Sequence, residues 1–181
     1  MARTESPFTL QQQVQVHQGQ RWEVELTYPP LDRAEADELA SALLLLNGGA
    51  ETFLFGDVLG AAPRGVATGI PVVSGAGQIG DLLTTAGWTG STVEIMAPGD
   101  FFSLGAGATT RLHRVIETAD SDVAGVANLR IWPSLRESPL DTAPLAVNNA
   151  KGVFRLAGTL ASWEIAETNL YGIRFSAVES L

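Results

Sequence analysis

The chain has 181 residues, 45% of them hydrophobic and only 17% charged, and its net charge is −9. This charged fraction lies below the roughly 25% of average globular proteins, which favours a surface partly covered by partner molecules. Lys151 is the single lysine and there is no cysteine, which argues against stable nucleic-acid binding and excludes disulfides and thiolate metal sites.

The first predicted elements are a polar arm from Phe8 to Val16 and a strand from Arg21 to Tyr28. Residues Met1 to Gln13 lack the apolar segment of a signal peptide, and no later run approaches a membrane span. We therefore expect a protein made in a cytoplasm, with no membrane partner. The strand alternates, so one face is apolar and half-buried, as in an antiparallel sheet. That face consists of Trp22, Val24, Leu26 and Tyr28.

A helix of about 14 residues, roughly 21 Å long, is predicted next. Asp32 is the expected N-cap and Glu35 completes a capping box, while Asn47-Gly48-Gly49 ends the helix. Its apolar residues recur at spacings of three and four, so we expect them to be core. They are Ala36, Leu39, Ala40, Leu43 and Leu44. Leu45 and Leu46 extend this face, so the last turn is predicted to be buried nearly all round.

Short strands separated by Gly, Pro and Asp are predicted over most of the remaining chain. They are Thr52 to Phe55, Thr92 to Met96, Asp100 to Leu104, Arg111 to Glu117, Val126 to Trp132, Gly152 to Leu156, Ser162 to Glu167 and Tyr171 to Val178. The predicted fold is mainly β: an antiparallel β-sandwich with one α-helix and an inserted small β-barrel-like domain. Residues 1–56 plus 151–181 form the sandwich, and residues 57–150 form the insertion. We expect the ends of the insertion to lie close together and the insertion to be separable.

Gly75 to Gly80 matches the dinucleotide-binding pattern G-x-G-x-x-G, and Asp100 follows where a ribose-binding acid would stand. That chemistry needs a helix that begins at the glycines and directs its N–H groups at a pyrophosphate. The segment Asp81 to Ala86 is stopped by Gly87 and is too short for such a helix. We therefore predict no cofactor-binding site.

The other patterns are weaker. Asp120-Ser121-Asp122 with Gly125 partly resembles a calcium loop, but a hairpin turn explains it better. His17 and His113 have no local partner, and there is no G-x-S-x-G motif. An acid pair of the glycosidase type and a sugar platform of tryptophans remain open alternatives. The tryptophans are Trp22, Trp88, Trp132 and Trp163. We predict no catalytic, cofactor-binding or metal-binding residues and no enzymatic activity.

Three stretches carry a resemblance to a known family. They are GQRWEVELTYPPLDRAEADELASALLLLNGGAETFLFGD from Gly19, GDFFSLGAGATTRLHRVIETADSDVAGVANLRIWPSLRESP from Gly99 and NAKGVFRLAGTLASWEIAETNLYGIRFSAVESL from Asn149. As an ordered set they resemble the distal-tail-protein-like minor tail proteins of long-tailed bacteriophages, which also occur in gene-transfer-agent tails. The resemblance covers the chain from about Gly19 to Leu181.

The resemblance implies a structural virion component of the viral tail tip, or baseplate, assembled in the host cytoplasm. It implies a β-sandwich with a helix and a homo-oligomeric ring, most often a homohexamer. The ring's partners would be the tail tube protein and the baseplate hub, and its channel would pass DNA. An acidic balance suits such a channel, because DNA would be repelled and not retained. The alternative is a tail-associated module that binds carbohydrate or hydrolyses cell wall.

Overall fold

The computed structural model describes residues 2–5, 7, 9–15, 19–158, 163–165 and 170–180. His17 and the ends of the predicted strand Ser162 to Glu167 lie outside these ranges. The helix is α1 (Arg33–Leu45). The strands are β1 (Ala2–Glu5), β2 (Gln12–Gln15), β3 (Glu23–Thr27), β4 (Phe53–Phe55), β5 (Gly69–Val73), β6 (Gly80–Trp88), β7 (Phe101–Leu104), β8 (Arg111–Val115), β9 (Ala127–Leu135), β10 (Leu145–Ala146), β11 (Gly152–Leu156), β12 (Trp163–Ile165) and β13 (Tyr171–Glu179).

The predicted fold class is confirmed, since the chain is mainly β with antiparallel sheets, one α-helix and a nearly closed barrel. One sheet contains β12, β13, β11 and β4, with β3 on the other side of β13. A second sheet has the strand order β10-β7-β8-β9-β6-β5. β1 and β2 pair with each other as an antiparallel hairpin.

The barrel closes between β5 and the segment that leads into β10. The Val73 N–H donates to the Ala143 carbonyl at 2.8 Å, and the Thr142 N–H donates to the Val73 carbonyl at 3.0 Å. This near-closure pairs part of the two edges of the sheet with each other and gives the barrel its own core. Its fully buried side chains include Leu83, Phe102, Val115, Leu129 and Ile131.

The start of α1 follows the sequence prediction. Asp32 Oδ1 accepts the Glu35 N–H at 2.9 Å, and Glu35 Oε2 accepts the Asp32 N–H at 3.4 Å, which completes the predicted capping box. Two N–H groups that the first turn would otherwise leave unpaired are thereby satisfied. The helix therefore begins at Arg33.

The helix ends before Asn47-Gly48-Gly49 as predicted, but the prediction that its last turn is buried nearly all round is wrong. Ala36 and Leu43 are buried against Ile173 of β13, but Leu44 is 61% exposed and Leu45 is 79% exposed. The sheet covers α1 from one side only, and successive residues of a helix point roughly 100° apart. Leu44 and Leu45 therefore point away from the buried face of α1 that contains Ala36 and Leu43.

Two local predictions also differ from the structure. Thr92 to Met96 is not a strand and forms only an isolated bridge between Met96 and Ala119. Ile95 and Met96 are buried in a loop, and buried apolar loop residues give the same local composition as a buried strand. The segment Asp81 to Ala86 was considered only as a helix and found too short to bind a dinucleotide. It lies inside the nine-residue strand β6.

The ends of segment 57–150 lie side by side. β4 and β11 are antiparallel neighbours, with Phe55 opposite Gly152 and Phe53 opposite Phe154. The segment therefore leaves and re-enters one sheet at adjacent strands. Its separability as a folding unit stays a prediction.

Leu43→Ala should lower the free energy of unfolding by about 2–5 kcal/mol, because it leaves a cavity between α1 and the sheet. Leu44→Ala is the matched control, since it removes the same atoms from an exposed position and should change stability by no more than about 0.5 kcal/mol. Urea unfolding of both variants tests the pair. Equal losses would mean that the helix does not pack on the sheet through Leu43.

Candidate functional site

A buried ion pair joins the barrel to the sheet. Arg136, directly after β9, places Nη2 2.7 Å from Oε2 of Glu179 at the end of β13. Glu179 is only 2% exposed. The same carboxylate oxygen accepts the Trp22 N–H at 3.3 Å. The pair thus holds the barrel, β13 and the chain entering β3 at one point.

Gln20, two residues before Trp22, is also hydrogen-bonded to the barrel region. The Gln20 carbonyl accepts a bond from Arg136 Nε at 2.9 Å, and Gln20 Oε1 accepts the Ser134 N–H at 3.0 Å. Sequence reasoning missed this junction. The sequence signal that could have revealed it is Glu179, an acidic residue at a position where the alternation of β13 directs the side chain inward.

His113 lies near the junction and is buried. Its Nδ1 is 2.8 Å from the Pro133 carbonyl, and its ring stacks on Phe102 with 5.5 Å between centroids. Burial lowers the pKa of His113 from 6.5 to about 4, although the Pro133 hydrogen bond and the charge of Glu179 act in the opposite direction. The imidazole is therefore neutral at neutral pH.

A small recess of about 290 Å³ lies beside His113 at one end of the barrel. Its cationic side chains already have protein partners: Arg136 pairs with Glu179, and Arg111 Nη1 donates to the carbonyls of Ala108 and Thr110. Both arginines of the recess are therefore already engaged with protein groups.

The glycine-rich segment Gly75 to Gly80 is a hairpin connection and not a phosphate loop. It joins β5 to β6, and the strand begins at the last glycine, so no helix N-terminus is present there. Gln78 fills the turn: its side chain accepts the Thr84 N–H at 2.6 Å and donates to the Ser74 carbonyl at 2.8 Å. These bonds hold the segment in its hairpin conformation.

Asp100 is likewise structural. It is 4% exposed, and its carboxylate accepts the N–H groups of Arg64, Gly65 and Ala97 at 2.8, 3.0 and 2.8 Å. These bonds fix the loop that precedes β7. The side chain is therefore not available to a ribose.

The acidic segment before β9 forms the predicted turn. Asp122 Oδ1 accepts the N–H groups of Ala124 and Val126, both at 2.8 Å, and Asp120 Oδ1 accepts the Glu94 N–H at 2.7 Å. Among the described residues, no group of three or more His, Cys, Asp or Glu side chains is placed to hold a metal ion.

The described tryptophan side chains are packed inside the protein or at the junction. Trp88 is 5% exposed in the barrel core. Trp22 and Trp132 meet edge to face with 4.4 Å between ring centroids, and Trp22 Nε1 donates to the Leu112 carbonyl at 2.9 Å. The side chain of Trp163 lies outside the described part.

An apolar groove lies between β3 and the barrel. Its volume is about 600 Å³. The apolar face of β3 forms one wall, as the alternation predicted, but this face is only half-covered. The main apolar lining residues are Trp22, Val24, Leu26, Tyr28, Phe55, Phe101, Leu112 and Phe154.

The outer edge of β3 borders the same region. β3 pairs only with β13 among the described strands. The Tyr28 N–H donates to the Ile173 carbonyl, and the Trp22 carbonyl accepts the Glu179 N–H. Because every second residue of a strand points its backbone groups to the same side, those of Glu23, Glu25 and Thr27 point away from β13.

Further apolar side chains are exposed on loops and on strand β5. The most exposed of them are Leu59, Val123, Val58, Ile70 and Leu140, which are 96%, 89%, 83%, 82% and 81% exposed. Together with Leu44 and Leu45 they give the described surface an apolar character that suits contact with other molecules.

No protein-family model matches the chain, and a search of curated proteins finds no relative. Within the described ranges, no helix combines the length and apolar character that crossing a membrane requires. The tail-protein family therefore stays a hypothesis that rests on the sequence motifs.

His113 should make stability pH-dependent. Its folded-state pKa of about 4 lies below the ordinary 6.5, so between these values the unfolded chain binds a proton that the folded chain does not. The stabilisation is complete above about pH 6.5 and is lost as the pH falls towards 4. The difference corresponds to about 3 kcal/mol.

His113→Gln keeps a neutral donor for the Pro133 carbonyl but cannot titrate. Its free energy of unfolding should fall less than that of the wild type between about pH 7 and about pH 4.5. Urea unfolding at both pH values measures the difference. Identical pH slopes for the two proteins would contradict a buried, neutral His113.

Proposed function

We propose that this chain is a structural subunit of a bacteriophage tail tip, where copies form a ring that links the tail tube to the baseplate hub. The observation that carries the proposal is the half-covered apolar groove beside the open edge of β3. An apolar wall and unpaired backbone groups are the two kinds of surface that a neighbouring chain covers best. By the family resemblance, the ring has six copies.

The arrangement of polar side chains supports a structural role and not an enzymatic one. The buried acids Glu179 and Asp100 bind an arginine and backbone N–H groups, and His113 is bonded to a carbonyl. Each of these groups stabilises the fold. A nucleophile with an adjacent base, which covalent catalysis requires, is not assembled from them.

The carbohydrate-binding alternative needs exposed aromatic faces in a cleft. Trp22 and Trp132 pack against each other, and Trp88 is in the barrel core. These packed rings favour the structural proposal over a sugar platform.

The charge of the chain supports a channel that passes DNA. The net charge is −9 with a single lysine, Lys151, so a wall built from repeated copies would repel phosphates and not retain them. The proposed partners are therefore other copies, the tail tube protein and the hub, and the proposed location is the virion tail tip.

A tail map by electron microscopy tests this function. We expect this chain as a closed ring around the tail axis, because a repeated heterologous contact closes when its rotation divides a full turn. A single copy, or a peripheral fibre outside the tube wall, would contradict the ring. A ring with a basic inner wall would overturn only the argument from charge about DNA passage.

A further inference from the structure

We propose that copies of this chain join head to tail through one sheet, with the free edge of β3 in one copy pairing with the edge strand β4 of the next. This inference rests on the proposed assembly and deepens it, because it names the contact between copies. Three observations support it: the backbone groups at the two edges, the faces of the two strands and the charges beside them.

The first edge is β3. The backbone groups of Glu23, Glu25 and Thr27 point outward from the sheet, and no described residue bonds to them. The side chains of these three residues are exposed, so the edge is accessible. A row of donors and acceptors at strand spacing is complementary to another strand. The occupant therefore brings an extended backbone with outward-pointing groups of its own.

The second edge is β4, on the opposite side of the same sheet, where it pairs only with β11 among the described strands. The Ser180 N–H donates to the Val153 carbonyl at 2.8 Å, so Val153 directs its backbone groups to the β13 side. Neighbouring residues of a strand direct these groups to opposite sides, so Phe154 bonds towards β4, where it lies opposite Phe53. Leu54, which follows Phe53 and is 52% exposed, therefore directs its N–H and carbonyl away from the sheet.

The directions of the strands allow head-to-tail pairing. β3 is antiparallel to β13, β13 to β11, and β11 to β4, so β3 and β4 run in opposite directions. A second copy in the same orientation therefore presents its β4 antiparallel to β3. The two edges are different surfaces on opposite sides of one sheet. The contact is thus heterologous and repeats from copy to copy, as a ring requires.

One register pairs the whole of β3. With Glu25 opposite Leu54 of the next copy, residues 23–27 lie opposite residues 56–52. Each outward-pointing residue of β3 then meets an outward-pointing position of the other edge, which forms hydrogen-bonded pairs. A shift by two residues in either direction places one end of β3 opposite loop residues. This register is therefore the one that uses both edges fully.

In this register, apolar side chains meet on one face of the sheet. Val24 and Leu26 line the groove, and they lie opposite Phe55 and Phe53 of the next copy. Those two rings lie against Phe154, which also lines the groove, with centroids 5.6 and 6.4 Å away. Apolar side chains that lie opposite each other on neighbouring strands stabilise the pairing. The contact therefore extends the groove side of the sheet as one apolar surface.

On the other face, the charges are complementary. Glu23 is exposed, and in this register it lies opposite Gly56 of the next copy. Lys151 is directly beside Gly56, since a Cβ on that glycine would be 3.4 Å from Lys151 Cα. Glycine has no side chain to separate the carboxylate from the ammonium group. Arg21 contacts Oε1 of Glu23 at 3.2 Å, and Oε2 is available to the single lysine of a chain whose net charge is −9.

Disulfide formation in the full chain tests the pairing, since the chain has no cysteine of its own. Glu25→Cys with Leu54→Cys places the two Cα atoms three strand spacings, or roughly 14 Å, apart within one copy, which is too far for a disulfide. Between paired copies the same atoms are about 5.5 Å apart, which allows one. Mild oxidation at the highest soluble concentration should therefore give a ladder of dimers and larger species.

Two control variants test whether the ladder is specific. Glu25→Cys with Ala42→Cys moves the second thiol to an exposed position of α1 and should give no ladder, and Glu25→Cys alone should stay monomeric. A dimer of this single variant would mean that β3 pairs with β3 around a two-fold axis. That result overturns the proposal, as does a missing ladder for Glu25→Cys with Leu54→Cys or an equal ladder for the Ala42 variant.

Exchange of the two charges tests the register. Lys151→Glu brings two carboxylates together and should raise the protein concentration at half-assembly, measured by sedimentation, about fivefold. Adding Glu23→Lys should restore association. Arg33→Glu reverses an exposed charge on α1 and should leave association unchanged. A double variant that assembles no better than Lys151→Glu would contradict the register.

Failure of this contact differs from failure of the proposed function. The disulfide ladder reports the contact between the two edges, and the tail map reports the ring. A ladder without a ring would leave the edge pairing intact, whereas a ring without a ladder would leave the ring but remove this contact.

Discussion

The buried ion pair between Arg136 and Glu179 determines how the two sheets meet. Placing a carboxylate and a guanidinium out of water costs several kcal/mol for each ion, so each partner needs the other. Glu179 Oε1 has no hydrogen-bond partner in the described part of the chain, which makes Arg136 the main compensation for its burial. The pair therefore fixes the end of β9 against the end of β13, and with it the position of the barrel over the sheet.

This placement leaves part of the sheet open. The barrel covers the end near Glu179 and α1 covers the end near Ile173, while Val24 and Leu26 between them line a groove. The Trp22 N–H is bonded to the same Glu179 carboxylate, so β3 is held with its outer backbone groups directed away from the molecule. An apolar wall and an open edge therefore lie side by side. Both can be satisfied by a single added strand, which is why we assign this region to contact between copies.

Local signals in the sequence were sufficient for some elements. The capping box of Asp32 and the alternation from Trp22 to Tyr28 each depend on a few neighbouring residues, and both were predicted correctly. The exposure of Leu44 and Leu45 was not predicted correctly, because it depends on how many sides of α1 are covered by other elements. The loop from Thr92 to Met96, which buries only Ile95 and Met96, has the composition of a strand. The junction at Glu179 required knowledge of a contact across 43 residues, which no local pattern contains.

Hydrogen exchange at single amides of β3 tests the central claim that neighbouring copies complete this chain. In dilute protein, the amides of Glu23, Glu25 and Thr27 should exchange rapidly, while those of Val24 and Leu26, which point to β13, should be protected. On assembly, the account predicts that Glu25 and its two outward-facing neighbours become as slow as Leu26. Amides at this edge that exchange equally fast in the dilute and the assembled protein would contradict it.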